Sequence, residues 1–439
     1  MSNKWRYTAI WLISLVSLAQ AQQKFTLEQA ISTALENNHG IAIARNQAEQ
    51  ADNIARPGNA GMLPTLSLNG SGSYSKNNTA IELATGQNID QAGAQSLAAN
   101  AALQLDYVLF NGLANINTLR QFKALSSMAD LGLRLTIENT LLLVTANYYE
   151  VARLSEIKRV NEEAITISKD RYNRALLRTD LGSGSRLDLL NAEVSLNADS
   201  VNYFRTITEL ENAKRNLMVA ISLEPSTDFD VDTTLFFQAG LILDNLKQSA
   251  LDQNSALAIA RMNEEAATYA LKANEGSYLP QITLGGAYNY TTQNNEAAIT
   301  RNLQIDGFSL NAGLRWNLFT GNQRQTAVRN AKLELATNQE ALEDTRKQIL
   351  RDLENAYNTY LNALYVMNKE ERNVQTNKLN FERTEELFNL GQLNGTQFRE
   401  AQLNLVQSES NYSNSRYLAK IAEVELIRIA GLLLGENQN

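Results

Sequence analysis

The residue types that most often carry catalysis are almost missing from this chain. It has no cysteine and one histidine, His39, so thiolate chemistry is excluded, and classical zinc sites and histidine triads nearly so. No glycine-rich phosphate loop and no nucleophile elbow occurs along it. What the chain holds in quantity is carboxylate: 47 Asp and Glu against 39 Lys and Arg, a formal net charge of −8. That balance argues against nucleic acid, which needs clustered Lys and Arg to meet its phosphates. Carboxylates on amphipathic helices are ordinarily solvated, and one in a first helical turn, such as Asp188, is favoured there by the helix dipole. A different chemistry is open to them in an assembly. Copies of one Glu brought together by rotational symmetry repel one another and attract cations.

The elements that would position such residues begin after an export signal. Lys4 and Arg6 precede the apolar run Ala9 to Ala19, and Ala19-Gln20-Ala21 supplies a small-residue cleavage site. The reading is a signal peptide over residues 1–21 and a mature chain starting at Gln22. Without cysteine there are no disulfides and no lipid-modified residue at the cleavage site. No later apolar run approaches ~18 residues, so no transmembrane helix is expected, and an exported chain of this kind is either soluble or a β-barrel.

The mature chain is written twice. Leu35 to Ala51 (LENNHGIAIARNQAEQA) matches Leu251 to Ala267 (LDQNSALAIARMNEEAA), and His39 has Ser255 as its counterpart, which reads it as a surface residue of an early helix. Leu63-Pro64 with Leu68, Gly70 and Tyr74 corresponds to Leu279-Pro280 with Leu284, Gly286 and Tyr290. Leu109, Phe110 and Gly112 correspond to Leu318, Phe319 and Gly321; Leu181-Gly182 and Ala192 correspond to Leu390-Gly391 and Ala401. The first repeat is expected over 22–221 and the second over 241–439, with a Pro- and Asp-containing linker at 222–240.

Each repeat switches period twice. Four runs alternate strictly and are expected as strands at about 64–76, 101–110, 280–291 and 307–319, with the polar stretches Asn77 to Asn100 and Thr292 to Asp306 as loops. Runs of about ten residues suit a tilted strand crossing a bilayer, with Tyr107, Phe110, Trp316 and Phe319 placed for an interfacial aromatic girdle. A soluble sheet with one wet face fits the alternation too. Four strands cannot close a membrane barrel, so several chains must share one; strand arithmetic alone allows two, three or four. Leu113 to Leu181 and Asn322 to Leu390 contain no Pro and almost no Gly, and read as helices ~100 Å long at about 1.5 Å per residue. Leu335, Leu342, Ile349, Ala356 and Ala363 recur every seventh residue, a coiled-coil seam. The returning helices, Leu187 to Ile221 and Thr396 to Leu434, are shorter. Leu27 to Arg56 and Leu241 to Ser277 are expected to be helical as well, each stacked end to end on a returning helix to make a composite.

Two ribbon-plus-long-helix repeats, Leu-Pro entering the first strand of each, and a Gly followed ten residues later by Ala at each helical turn resemble the TolC-like outer-membrane efflux and secretion channel family. The resemblance implies a mainly α chain with a membrane β-barrel portion. It implies a homotrimer with a twelve-stranded barrel in the outer membrane, a helical barrel through the periplasm, and no cofactor. The implied partners are a periplasmic adaptor protein, an inner-membrane transporter and outer-membrane lipid, with drugs, metal ions or polypeptides as cargo. The role of adaptor docking passes to Gly182, Ser183, Leu390 and Gly391. Many members place acidic residues six and nine positions after the second-repeat Gly; here those positions hold Gln397 and Glu400, a departure at the first, and Asp188 is the corresponding candidate in the first repeat. A soluble periplasmic coiled-coil adaptor is the rival reading. A passive porin is disfavoured because porins put most of their sequence into strands.

Overall fold

The computed structural model describes residues 24–435 apart from 299. The signal peptide and the start at Gln22 lie outside the described residues. In chain order the helices are α1 (Leu27–Asn37), α2 (His39–Ile54), α3 (Ala114–Asp180), α4 (Arg186–Ala220), α5 (Leu243–Gln253), α6 (Ser255–Glu275), α7 (Gln323–Asn389) and α8 (Gly395–Ile429). Helices α3 and α7 run 67 residues each, and the returning α4 and α8 run 35 each.

The early helices are not continuous. Asn38 breaks the first and Asn254 the second, at matching repeat positions. Asn38 ends α1 through its N–H to the Ala34 carbonyl at 2.9 Å, and its Oδ1 accepts from the N–H groups of Gly40 and Ile41, capping α2. Its Nδ2 then donates to the Ala220 carbonyl at the end of α4, at 3.0 Å. Asn254 does the same between α5, α6 and the Ile429 carbonyl of α8, at 2.9 Å. One amide side chain therefore satisfies orphan groups of two helix ends at each composite junction.

The chain divides into two compact units. Among the described residues, one comprises those up to Arg45, Gly132–Leu257 and those from Thr345 onward. Its main core packs Ala30 and Ala34 of α1, Val144, Tyr148, Val151 and Ala152 of α3, and Leu210, Leu217 and Met218 of α4. The segment 222–240, expected as a linker, contributes Val231 to this core, with Phe229 and Leu235 packed against it. The Tyr148 hydroxyl pins that segment down, donating to the Phe25 carbonyl at 2.9 Å and accepting from the Asp232 N–H at 3.0 Å. Alternating apolar residues and a paired backbone turn a polar-looking stretch into part of the core.

The other unit comprises Asn46–Leu131 and Ala258–Asp344 and carries the sheet. Strands β1 (Thr65–Glu82), β2 (Asn88–Asn111), β3 (Gln281–Asn295) and β4 (Asn302–Arg315) pair antiparallel in the order β1-β2-β3-β4. The expected loops are mostly strand: β1 continues to Glu82 and β2 begins at Asn88, so the connection shrinks to residues 83–87. Residues there do not alternate in polarity, yet the ladder from Asn77↔Ala94 to Glu82↔Asn88 holds them by backbone bonds. At the other end β4 stops at Arg315, short of the expected 319, because its partner β3 begins at Gln281, directly after Pro280. Proline has no N–H to extend the ladder. Trp316 and Phe319 accordingly lie beyond the strand, exposed, whereas Tyr107 and Phe110 sit inside β2 and are half-buried.

Register gives this sheet two unlike faces. One row across all four strands reads Leu68, Leu103, Tyr288, Phe308, and the next Leu66, Leu105, Gly286, Leu310. The opposite face reads Ser67, Gln104, Ala287, Ser309. The large apolar residues of the first face are exposed, Leu68 to 77%.

Candidate functional site

The turns joining α3 to α4 and α7 to α8 are built alike. Gly182 (φ 75°) and Gly391 (φ 73°) follow the long helices in the left-handed conformation that glycine adopts without strain. Paired bonds close each turn: Ser183 N–H to the Arg178 carbonyl and Gly182 N–H to Thr179, then Gln392 N–H to Leu387 and Gly391 N–H to Phe388, all between 2.9 and 3.0 Å. Ser185 caps α4 by accepting from the Leu187 N–H. Asn394 caps α8 by accepting from the N–H groups of Thr396 and Gln397, while the Gln397 side chain accepts from the Asn394 N–H at 3.2 Å. Gln397 thus completes a capping box, a task for which an amide serves as well as a carboxylate. Glu400, one turn further on, is exposed.

Side chains hold the two turns against each other. Arg174 of α3 reaches Asn389 at the end of α7, 2.6 Å away, and pairs with Asp170 at 2.7 Å. Phe398 of α8 stacks on Phe388 and Phe381 of α7 with ring centroids 4.7 and 5.4 Å apart. A turn deeper, Arg399 of α8 forms a two-bond ion pair with the buried Asp199 of α4, the shorter distance 2.5 Å. Ser168 of α3 also donates to Asp199, and Gln402 donates to Ser168 and to the Ala164 carbonyl. This network ties α3, α4 and α8 together with its charges matched.

Between the turns lies a cleft of about 170 Å³ lined by Arg171, Arg174, Arg178, Ser183, Asp188 and Asn394, among others. Gly395 leaves room for the Arg171 guanidinium, whose Nη2 lies 2.8 Å from where a Cβ would stand. Burial, and next the neighbouring Arg399, hold the Arg171 pKa below its ordinary value, with Asp188 acting in the opposite sense.

Of the residues expected from sequence, Ser183 and Asp188 line this cleft and Gly182, Leu390 and Gly391 form its two turns. The aromatic residues Tyr107, Phe110, Trp316 and Phe319 belong to the unit that carries the sheet. The sequence reading missed Arg171, Arg174 and Arg178. Their spacing marks one helical face, but a stripe of arginines on a long helix looks like any solvated face. It also missed Asp199 and Arg399, which only the fold brings together. Among the described residues no group of His, Asp and Glu side chains is arranged to hold a metal ion, and no helix is long and apolar enough to cross a membrane.

The chain matches the family model described as outer membrane efflux protein over residues 30–222 and 246–432. It is 23% identical to outer membrane protein TolC of Vibrio cholerae over 428 residues, covering 96% of this chain and 94% of that one. It is 22% identical to outer membrane efflux protein BepC of Brucella suis over 327 residues, covering 74% and 68%. Its fold superimposes on the Campylobacter jejuni CmeC outer membrane channel with a TM-score of 0.79 at 16% identity, covering 93% of this chain and 86% of that one. The Vibrio cholerae outer membrane protein VceC gives 0.77 at 16% identity, covering 92% and 96%. With both repeats inside the match, the chain belongs to the outer membrane efflux protein family, and it is an outer-membrane efflux channel component, not a soluble coiled-coil adaptor.

Proposed function

We propose that three copies of this chain close a twelve-stranded barrel in the outer membrane and continue it as a helical duct, without enzymatic activity. One observation carries the reading: a four-stranded sheet that is apolar on one face, polar on the other, and open at both the β1 and β4 edges. Exposed strand edges and a wet apolar face are unstable together in one chain; closure with copies in lipid removes both problems. Twelve strands fall within the even-numbered range of such barrels. Tyr107, Phe110, Trp316 and Phe319 would then meet the membrane interfaces. The duct receives cargo, whether small molecules, metal ions or polypeptides, from a periplasmic adaptor seated on Gly182, Ser183, Leu390 and Gly391 and from an inner-membrane transporter behind it.

Three-fold symmetry sets three copies of Glu400 around the duct, with Asp188 contributing less because it faces the ring less directly. Gln397 adds no charge. Light scattering in mild detergent is expected to give a trimer, and a stable monomer overturns the shared barrel. In planar bilayers Glu400→Gln is expected to weaken cation preference and divalent block; unchanged conductance properties in an intact trimer would reduce Glu400 to a solvated helix residue.

A further inference from the structure

We propose that the cleft between the two turns is a carboxylate-binding site, and that its occupant is an acidic side chain at the tip of the periplasmic adaptor. The identity of the occupant rests on the docking reading above; the site itself rests on the side chains.

Arg171 is only 7% exposed, yet among the described residues no carboxylate lies within ion-pair distance of it. Among the described residues its one hydrogen-bond partner is Ser195 Oγ at 3.4 Å, beyond the usual range for N–H donors. A guanidinium carries five donors and does not lose its charge in proteins. Here it is buried beside a second cation, Arg399, whose own charge is already matched by Asp199. A buried cation lacking a counterion is a costly arrangement that an incoming anion relieves. Arg178 lines the same cleft, exposed and without an ion pair among the described residues, so two guanidinium groups remain to be answered. Arg174 does not count toward this surplus because Asp170 and Asn389 already occupy it.

The acidic groups nearby do not fill the role. Asp188 lines the cleft but is exposed and stands outside ion-pair distance of Arg171 and Arg178. Glu385 lines an adjoining groove with Asp170. The starts of α4 and α8 border the cleft through Ser185, Asn394 and Gly395, and the positive ends of two helix dipoles add to the same preference. The walls also include Phe388 and Leu393, apolar surface that matches the methylene stem of Glu better than it matches a phosphate group. A carboxylate on such a stem has two oxygens for the two unanswered guanidinium groups.

Two measurements test this. Glutarate titrated into the purified trimer is expected to bind saturably and more weakly as salt rises, with affinity reduced about tenfold or more in Arg178→Gln. Arg178 is exposed, so that variant keeps its fold, which heat-modifiable trimer mobility verifies. No glutarate binding to the unaltered trimer, or equal binding by Arg178→Gln, overturns the site. For the occupant, a benzoylphenylalanine in place of Ser183 is cross-linked in cells. The expected product joins the adaptor through a peptide containing Asp or Glu; Arg178→Glu removes it, and changing that acidic residue to Lys restores it. A cross-linked adaptor indifferent to Arg178→Glu overturns the acidic occupant while leaving adaptor docking intact. Absence of any adaptor cross-link overturns the docking reading, with the glutarate result still deciding the site.

Discussion

Helices α3 and α7 have the same length and align residue for residue from Gly112 and Gly321 to Gly182 and Gly391, yet α1 and the 222–240 segment finish a core around α3. Val144 and Val151 are buried on α3, and their counterparts Leu353 and Tyr360 are buried on α7, so one seam is shared. The other faces diverge. Ala152 is fully buried where α7 has Leu361, 46% exposed. Glu156, paired with Arg416, and Asp170, paired with Arg174, stand where α7 presents Tyr365 and Leu379, both exposed. The first repeat uses α1 and the 222–240 segment to finish its core, and at the positions aligned with Glu156 and Asp170 the second presents exposed apolar side chains instead of ion-paired carboxylates. We propose a division of labour on the trimer, in which α3 anchors its own subunit and α7 meets the next one through Tyr365 and Leu379.

The largest expected effect would break or confirm that division directly. Tyr148→Ala removes a fully packed ring and its bonds to Phe25 and Asp232, and should destabilise the subunit by about 3–5 kcal/mol in denaturant titration. Tyr365→Ala should alter subunit stability by under about 1 kcal/mol and instead lower the temperature at which the trimer dissociates. Equal losses of subunit stability in the two variants would erase the contrast.

The next effect sharpens it at the helix turns, where the repeats are cross-tied. Asp199→Ala strands the Arg399 charge among three helices and should lose about 3 kcal/mol, whereas removing both charges in Asp199→Leu with Arg399→Met should recover most of it. Failure of the pair to recover would mean that the network does more than balance charge. The smallest effect probes a point where the repeats should agree. Asn38→Ala and Asn254→Ala each delete a helix cap and should destabilise by about 1 kcal/mol, measured by thermal unfolding. A clear inequality would extend the asymmetry of α3 and α7 to the composite junctions.

What could be read in advance follows from where the environment leaves a mark on residue type. Pro64 to Tyr74 was legible as a strand because its two faces meet different surroundings. Thr79 to Glu82 and Asn88 to Gln95 were not, since nothing there forces alternation and the ladder is made by backbone alone. The ends of α3 and α7 were marked by Gly182 and Gly391, whose positive φ few other residues tolerate. The break at Asn38 was hidden because an asparagine inside LENNHGIAIAR looks like one polar helix position among several, and its decisive acceptor is a carbonyl on α4. The cleft was hidden for the same reason. That Arg171 lies buried beside Arg399 depends on how α8 packs, which spacing along α3 cannot report.

The two asparagine junctions also impose an order on biogenesis. Asn38 and its acceptor are 182 positions apart, and Asn254 and its acceptor 175. At ~5–20 residues per second, synthesis leaves Asn38 without that acceptor for roughly 10–40 s. The pairing of β2 with β3 is similarly remote, since Leu103 must find Tyr288. Local hairpins and long helices form early; the Asn38 junction closes once α4 is made, whereas the Asn254 junction and the central strand pair wait for the second repeat. During that interval β1 and β2 present their apolar rows with only each other for cover, which makes the incomplete chain prone to aggregation.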